Sequence, residues 1–415
     1  MRKSAMVALL GLLSAAPAMA QQDIRFSGFG SIGALYHDSD YLGFHRDYTM
    51  EAVELGWSTA ADTMLGLQLN ADLTDQLDLV GQMVFKNRVS DEVSDNLEWL
   101  FLRYRPNSDW AFRVGRLGLD LYMLSEYRDV SYAYSWVRPV PEFYNLISSI
   151  SRYNGADVSY RTRLGDNIFE AKLAYGSNDA ALQGAEQQID IGLDDITALT
   201  LSLTANEWLL RASIANASAT GENYQTNQLL FALRSIPKEL WPDAAALADE
   251  IAFIHRKSRY YALGAQYDDG RWILQSELGY TETDWRLLQP YMSGYISLGR
   301  RFDNLTLFAM VASVQNTEDA EEIATPPSLP FLPAEQQAQL LALHGAAQYS
   351  YHASSLDQTS YSLGARWDFY DNMALKFQWD HTQIGDYGSS LWVRDFPMAH
   401  DDSVNVFSIN LSFTF

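Results

Sequence analysis

Residues 63–88 read TMLGLQLNADLTDQLDLVGQMVFKNR, and the period of their apolar positions decides the fold. Thr63, Leu65, Leu67, Leu69, Ala71 and Leu73 fall on one face; Met64, Gly66, Gln68, Asn70 and Asp72 fall on the other. After Thr74-Asp75-Gln76 the alternation resumes, with Leu77, Leu79, Gly81, Met83 and Phe85 against Asp78, Val80, Gln82, Val84 and Lys86. Side chains alternate between faces along a strand, so this is a pair of amphipathic strands joined by a tight turn. What covers the apolar face, a soluble core or a bilayer, is settled by the rest of the chain.

Outward from this hairpin the same texture recurs to both ends. Six further short connections fall at Asn107-Ser108-Asp109, Gly165-Asp166-Asn167, Ala205-Asn206-Glu207, Asp268-Asp269-Gly270, Asp303-Asn304 and Asp371-Asn372. Between consecutive turns the chain makes one longer excursion, near residues 37–63, 88–96, 117–151, 178–194, 218–257, 283–289, 317–356 and 385–401. Seven short turns and eight long loops join sixteen strands, or eighteen if one long loop hides a further hairpin. A soluble β-sandwich also alternates, but has no reason to sort its connections into short and long by parity. The reading is all-β: a transmembrane antiparallel β-barrel with short periplasmic turns and long extracellular loops. No apolar stretch after the leader approaches the roughly 18–20 residues that a spanning helix needs.

Aromatic placement agrees. Trp110, Trp208 and Trp272 stand one or two residues past a tight turn, on the face of Phe112, Leu210 and Leu274, while Tyr104, Tyr160, Tyr267, Trp367 and Phe369 sit at the matching height on incoming strands. Indole and phenol at the edge of an apolar band suit a bilayer interface. The chain closes on VFSINLSFTF (406–415), with Phe407, Ile409, Leu411, Phe413 and Phe415 on one face; this strand is expected to pair with IRFSGFGSIGALY (24–36), removing the sheet edges.

Residues 1–20, MRKSAMVALLGLLSAAPAMA, carry two basic residues, a short apolar run and the small-residue exit Ala18-Met19-Ala20. They read as a secretory signal peptide cleaved before Gln21, leaving 21–415 as a single barrel domain. The apolar run is too short for a membrane anchor. Cysteine is absent, which excludes disulfide staples and thiolate metal sites. The net charge of −23 argues against contact with nucleic acid through phosphates. Yet 24 Tyr and 11 Trp are many for an acidic solvated protein, so something apolar receives them.

The leader, the strand count, the closing SINLSFTF and the long connection after the fifth strand, LGLDLYMLSEYRDVSYAYSWVRPVPEFYNLISSI (117–150), together resemble the Gram-negative outer-membrane porins. The resemblance implies a water-filled pore for passive diffusion of small hydrophilic solutes and ions, a third loop folded into the lumen as a constriction, a homotrimer, and a setting of outer-membrane lipid and lipopolysaccharide reached through the periplasm. A solute-selective channel for a sugar, a carboxylate or an aromatic acid is the alternative.

Strand alternation assigns the lumen residues. Arg25, Lys86, Arg103, Arg105, Arg113, Arg161 and Arg163 fall on the inward face of the first six strands, making that wall basic in an acidic protein. Like charges side by side repel unless something opposite faces them. Asp120, Glu126, Asp129 and Glu142 of the third loop are the candidate partners, and a transverse field across a narrow opening would follow. The loop's aromatics, Tyr122, Tyr127, Tyr132, Tyr134, Trp136, Phe143 and Tyr144, either pack it to the wall or offer a surface to solutes. Segments 237–257 and 334–350 favour helix and either cap the mouth or enter the lumen. Seven histidines offer triads in principle, but no nucleophile elbow, zinc-ligand spacing or phosphate loop accompanies them. The expectation is a channel without catalytic residues, metal or cofactor. A plugged energy-coupled transporter is excluded by length, because the first strand begins almost at Gln21.

Overall fold

Each hairpin that the alternation predicts is closed by a backbone ladder. In the computed structural model, residues 23–53, 56–90, 92–147, 151–184, 188–222, 224–318, 322–327, 330–385, 388–394 and 402–415 are described. The leader expected at 1–20 lies outside them, as do the last three residues of the loop expected at 117–150.

The wall strands are β1 (Ile24–His37), β2 (Met64–Asp72), β3 (Leu77–Lys86), β4 (Leu97–Tyr104), β5 (Trp110–Gly118) and β6 (Arg152–Leu164). They continue as β7 (Asn167–Gln183), β8 (Gln188–Ala205), β9 (Trp208–Glu222), β10 (Arg256–Asp268) and β11 (Trp272–Thr283). The last five are β12 (Tyr291–Phe302), β13 (Leu305–Asn316), β14 (Asp357–Tyr370), β15 (Met373–Ile384) and β16 (Ser403–Thr414). Each pairs antiparallel with its sequence neighbours. β1 pairs with β2 from Ile24↔Ala71 to Ser31↔Met64 and with β16 from Phe29↔Thr414 to His37↔Val406, so the sheet closes on itself. Closure satisfies every strand's backbone within the sheet, which a lipid environment requires.

Inward positions hold the polar and small residues, while Leu65, Leu67, Phe85, Leu201, Leu263, Ile296, Leu307, Leu363, Phe377 and Phe407 are exposed on the outside. An apolar belt around a whole barrel is far beyond the patch a soluble monomer shows and is matched to lipid. At the short-turn rim Trp110 meets Tyr160 with ring centroids 4.8 Å apart, and Trp208 meets Tyr267 at 5.0 Å. The expected girdle is there.

The fourth long connection differs from expectation. β7 and β8 run on through most of residues 178–194 and leave only residues 184–187 between them. The cause is a bulge: the register shifts between Asp194 and Thr197, with Asp195 at φ 52°. Leu193 and Ile196, three apart, are both buried across it. An inserted residue breaks the period of two and disguises a strand as loop.

The helix-favouring loops form a cap. Helices α2 (Tyr224–Arg234), α3 (Ala244–Ile251) and α4 (Ala334–Ala353) bury Leu230, Leu233, Leu247, Ile251, Ala347 and Tyr351 against one another and against Leu287 of the loop after β11. Phe253 stacks on Trp285 at 4.0 Å, tying the loop of α2 and α3 to the loop after β11. Beside the cap, a short ribbon of Leu42–Phe44 and Trp392–Arg394 packs Phe44 and Trp392 on Leu35, Val314, Ile384, Val404 and Val406 of the upper inner wall.

Candidate functional site

The third loop leaves β5 at Gly118 and returns at Arg152, and it turns inward because its first turn cannot face water. Leu117, Leu119, Leu121, Tyr122, Met123 and Leu124 are each at most 2% exposed. A short helix, α1 (Pro141–Tyr144), lies near the loop's far end. Together with Val80, Phe101, Tyr153, Tyr260, Tyr295 and Phe308 of the wall, the loop builds one apolar core inside the barrel.

Polar contacts fix the loop to strands around the wall. Near its start, the Asp120 carboxylate accepts from Lys172 Nζ of β7 at 2.6 Å and from Arg211 Nη1 of β9 at 2.7 Å. The Met123 amide donates to Glu277 of β11 at 2.8 Å, and Tyr144 donates its hydroxyl to the same carboxylate. Asp129 meets Lys86 of β3 at 3.1 Å. Farther on, Trp136 Nε1 donates to Ser297 Oγ of β12 at 2.8 Å and the Val137 amide to Gln378 of β15 at 2.8 Å. Lys376 of β15, wholly buried, points its ammonium at the carbonyls of Ser131, Tyr134 and Trp136. Arg138 forks onto Asp62, ahead of β2, at 3.0 and 2.5 Å, and reaches Asp380 at 3.3 Å. With hydrogen bonds to charged groups contributing about 1.5–3 kcal/mol each, this is a firmly held crossing.

The environments of the loop carboxylates differ. Burial opposes ionisation of Asp120, but Lys172 and Arg211 outweigh it and hold the group below the usual carboxylate range. Asp129 is likewise lowered, by Lys86 and Arg128 against burial. Among the described residues Glu142 makes no ion pair. Burial pushes its carboxyl up, against hydrogen bonds from Ser360 and Gln358, and Asp380 adds to the push. Nearby His45 is lowered to about 4 by burial and brings no positive charge at neutral pH.

A raised carboxylate fits its pocket best as the acid. Its stabilisation is therefore complete below the ordinary carboxylate range and is lost as pH rises through the raised value. Glu142→Gln keeps an acceptor for Gln358 Nε2, now at 2.7 Å, without the charge. The expected result is unchanged or higher thermal stability at neutral pH and a flatter profile than the parent as pH rises from the ordinary carboxylate range. A variant less stable than the parent at neutral pH would contradict it.

The wall residues singled out in the sequence find partners one strand away. Arg103 sits directly opposite Asp78 and bonds it at 2.8 Å; Arg105 reaches the same carboxylate at 3.0 Å. Arg113 is opposite Asp157 and bonds it at 2.6 Å, and Arg161 is opposite Glu170 at 3.9 Å. Arg25 pairs with Asp72 at 3.1 Å at the short-turn rim, and Arg163 is exposed near it. Lys86 is the exception and bonds the loop's Asp129; Asp120 is met by Lys172 and Arg211, Glu142 by Gln358 and Ser360, and Glu126, 63% exposed, lies 3.6 Å from Lys172. Opposite charges directly across a ladder pair first because strand geometry already holds them together. The Asp62–Arg138 pair was missed. Its members lie 76 residues apart on two loops, and no period links them.

Beneath the loop, on the β10–β14 side, a cavity of about 340 Å³ opens toward the short turns. Tyr127, Tyr132, Tyr134 and Trp136 roof it; Gln266, Asp268, Gln275, Arg301, Arg366 and Asp368 line its wall.

No family model and no curated protein sequence matches the chain. Solved structures do. OmpF of Salmonella typhi, in complex with daunomycin, is 12% identical at a TM-score of 0.54, covering 94% of this chain and 97% of its own. The anion-selective porin of Comamonas acidovorans is 14% identical at 0.52, covering 95% and 100%, and the channel DcaP of Acinetobacter baumannii is 12% identical at 0.51, covering 97% and 100%. At such identities the likeness speaks for the fold. A closed sixteen-stranded antiparallel barrel, apolar outside and crossed inside by its third loop, has the fold of the Gram-negative outer-membrane porins.

Proposed function

We propose that this chain is an outer-membrane channel through which small hydrophilic solutes and ions diffuse passively, with the loop at 117–150 as its constriction. The observation that carries the reading is the crossing itself: inside the barrel the loop bonds to β3, β7, β9, β11, β12 and β15, strands spread around the wall, so a solute has to pass it. The carboxylates of the lumen accept from arginines, lysines and backbone and hold structure, and the reading assigns them no catalysis and no metal. A homotrimer in lipid and lipopolysaccharide, with the exposed belt in the bilayer, completes the proposal.

In this reading Lys86, Arg25, Arg103, Arg113, Arg161 and Arg163 set the potential of one wall and Asp120, Glu126 and Asp129 that of the loop, while Glu142, pushed toward its neutral form, adds a polar group. Two charges 4–8 Å apart across a wet gap interact by about 0.5–4 kcal/mol, enough to bias ion entry without blocking it. Planar-bilayer recording of the purified chain should show stepwise conductance. Neutralising Arg103, Arg113 and Arg161 together should move the reversal potential across a salt gradient toward cation preference. Neutralising Asp120 and Glu126 should move it the other way. A silent bilayer would remove the channel; steps with no shift in either variant would remove these residues from the constriction. A solute-selective channel is the second reading, favoured by the lined cavity beneath the loop.

A further inference from the structure

The cavity beneath the loop combines three features that the channel reading leaves unused. The first is size. About 340 Å³ is many times the roughly 10–15 Å³ that one water needs, so the space admits a solute of one or two rings.

The second is charge balance. Arg301 forks onto Asp268 at 2.5 and 2.8 Å. Arg366 forks onto Asp368 at 3.1 and 2.7 Å, and its remaining Nη1 donates to the carbonyls of Tyr132 and Tyr134 at 2.6 and 3.0 Å. Two cations and two anions are thus matched one to one. An anionic or cationic solute would have to break a bidentate pair to gain a partner, whereas a neutral one can hydrogen-bond to the outer edges of both.

The third is the roof. Tyr134 and Trp136 are buried, and the Trp136 indole is fixed by its bond to Ser297. Tyr127 and Tyr132 are half-exposed, and Tyr132 is held by its hydroxyl on the Asp371 carbonyl at 2.8 Å and by the Arg366 guanidinium 4.7 Å from its ring centre. Rigid apolar faces above and fixed polar groups along the wall are what orients a small ligand in a pocket.

We propose that this cavity is a solute-binding vestibule at the short-turn end, selective for neutral, hydroxyl-rich ring compounds, that is, mono- or disaccharides. The inference rests on the channel reading for its purpose, but not for its test. In ligand-observed NMR titrations of the detergent-solubilised chain, glucose and sucrose should bind, and glycine and benzoate should bind at least tenfold more weakly. Tyr132→Ala, and separately the charge-conserving double variant Asp268→Ala with Arg301→Ala, should each weaken sugar binding about tenfold or more, a loss of about 1.4 kcal/mol. Circular dichroism confirms that the barrel is intact in both.

No sugar binding, binding unchanged in both variants, or tighter binding of benzoate would each overturn the assignment. Bilayer recordings separate the two ideas. Conductance without sugar binding sinks the vestibule alone, and sugar binding without conductance sinks the channel alone.

Discussion

Replacing Arg138 with alanine is expected to destabilise the barrel by about 3–5 kcal/mol and, in the same variant, to raise the single-channel conductance. The guanidinium is 1% exposed and its partner Asp62 is fully buried, so neither is solvated by bulk water. The pair is bidentate, a geometry in which two parallel bonds fix orientation as well as energy. Removing the arginine leaves Asp62 buried with Arg46 as its remaining cationic partner, at 2.9 Å. It also removes the contacts to Asp380 and Ser408 and the packing of the guanidinium over the Phe44 ring at 5.0 Å. One substitution therefore cuts the loop from Asp62 ahead of β2 and removes one of its bonds to β15 and one to β16. Lys376, Gln378, Ser297 and Arg366 still hold the stretch from Tyr132 to Val137, and Gln358 and Ser360 still hold Glu142.

Two measurements keep structure and transport apart. The unfolding midpoint in detergent reports the lost pair; conductance in a planar bilayer reports the loop. The triple variant Asp62→Ala with Arg46→Ala and Arg138→Ala removes the buried charges left behind as well and should recover part of the stability while keeping the higher conductance. Lost stability with unchanged conductance in both would make the pair a staple with no part in limiting flow.

The strands were legible because a period of two survives any choice of side chain so long as one face meets lipid and the other the lumen. The tight turns were legible for a related reason: Asp, Asn and Gly cluster where a backbone must reverse in two or three residues. The same logic explains the failure at residues 178–194. There the two faces are no longer sorted by lipid, and the bulge at Asp194–Asp195 shifts the phase, so Leu193 and Ile196 look unrelated although both are buried. In the lumen, what the pairing register settles could have been read. Arg103 with Asp78, Arg113 with Asp157 and Arg161 with Glu170 follow once turn lengths fix which residues stand opposite. Contacts between loops carry no such rule. Arg138 lies between Val137 and Pro139 in an unpatterned stretch, and only the folded loop brings it to Asp62. The helical texture of 237–257 located the cap but placed its helices imperfectly. Leu247 and Ile251 are on α3, whereas Leu240 precedes it and Ile254 is exposed beyond it.

Gly155→Ala should prevent the barrel from assembling, an effect larger than any single lumen charge is expected to have. Gly115, Gly155 and Gly176 stand in register across β5, β6 and β7, close to the ends of β5 and β6 from which the third loop turns inward. A Cβ on Gly155 would lie 2.1 Å from the Tyr175 carbonyl oxygen and 2.7 Å from the Gly176 Cα. These are backbone atoms, so no rotamer change relieves the overlap; a strand has to move. In an open sheet an edge strand could absorb the shift. Here every wall strand is paired on both sides, and displacement of β7 is transmitted into β8 and onward around the closed ladder. The displacement also reaches Lys172 on β7, which holds Asp120 at 2.6 Å, so the loop would lose an anchor as the wall distorts. Two other glycines separate space from chemistry. At Gly81 the nearest atom to an added Cβ is a leucine methyl 3.7 Å away, and Gly81→Ala should fold normally. Gly165 has open space but a φ of +66°, so Gly165→Ala should fold with a penalty of about 1 kcal/mol from conformation alone. Membrane fractions probed for the heat-resistant folded band should then show Gly81→Ala at parental levels, Gly165→Ala slightly below, and Gly155→Ala absent. Folded Gly155→Ala at the level of Gly81→Ala would mean that β6 and β7 do not approach as closely as the glycine row requires.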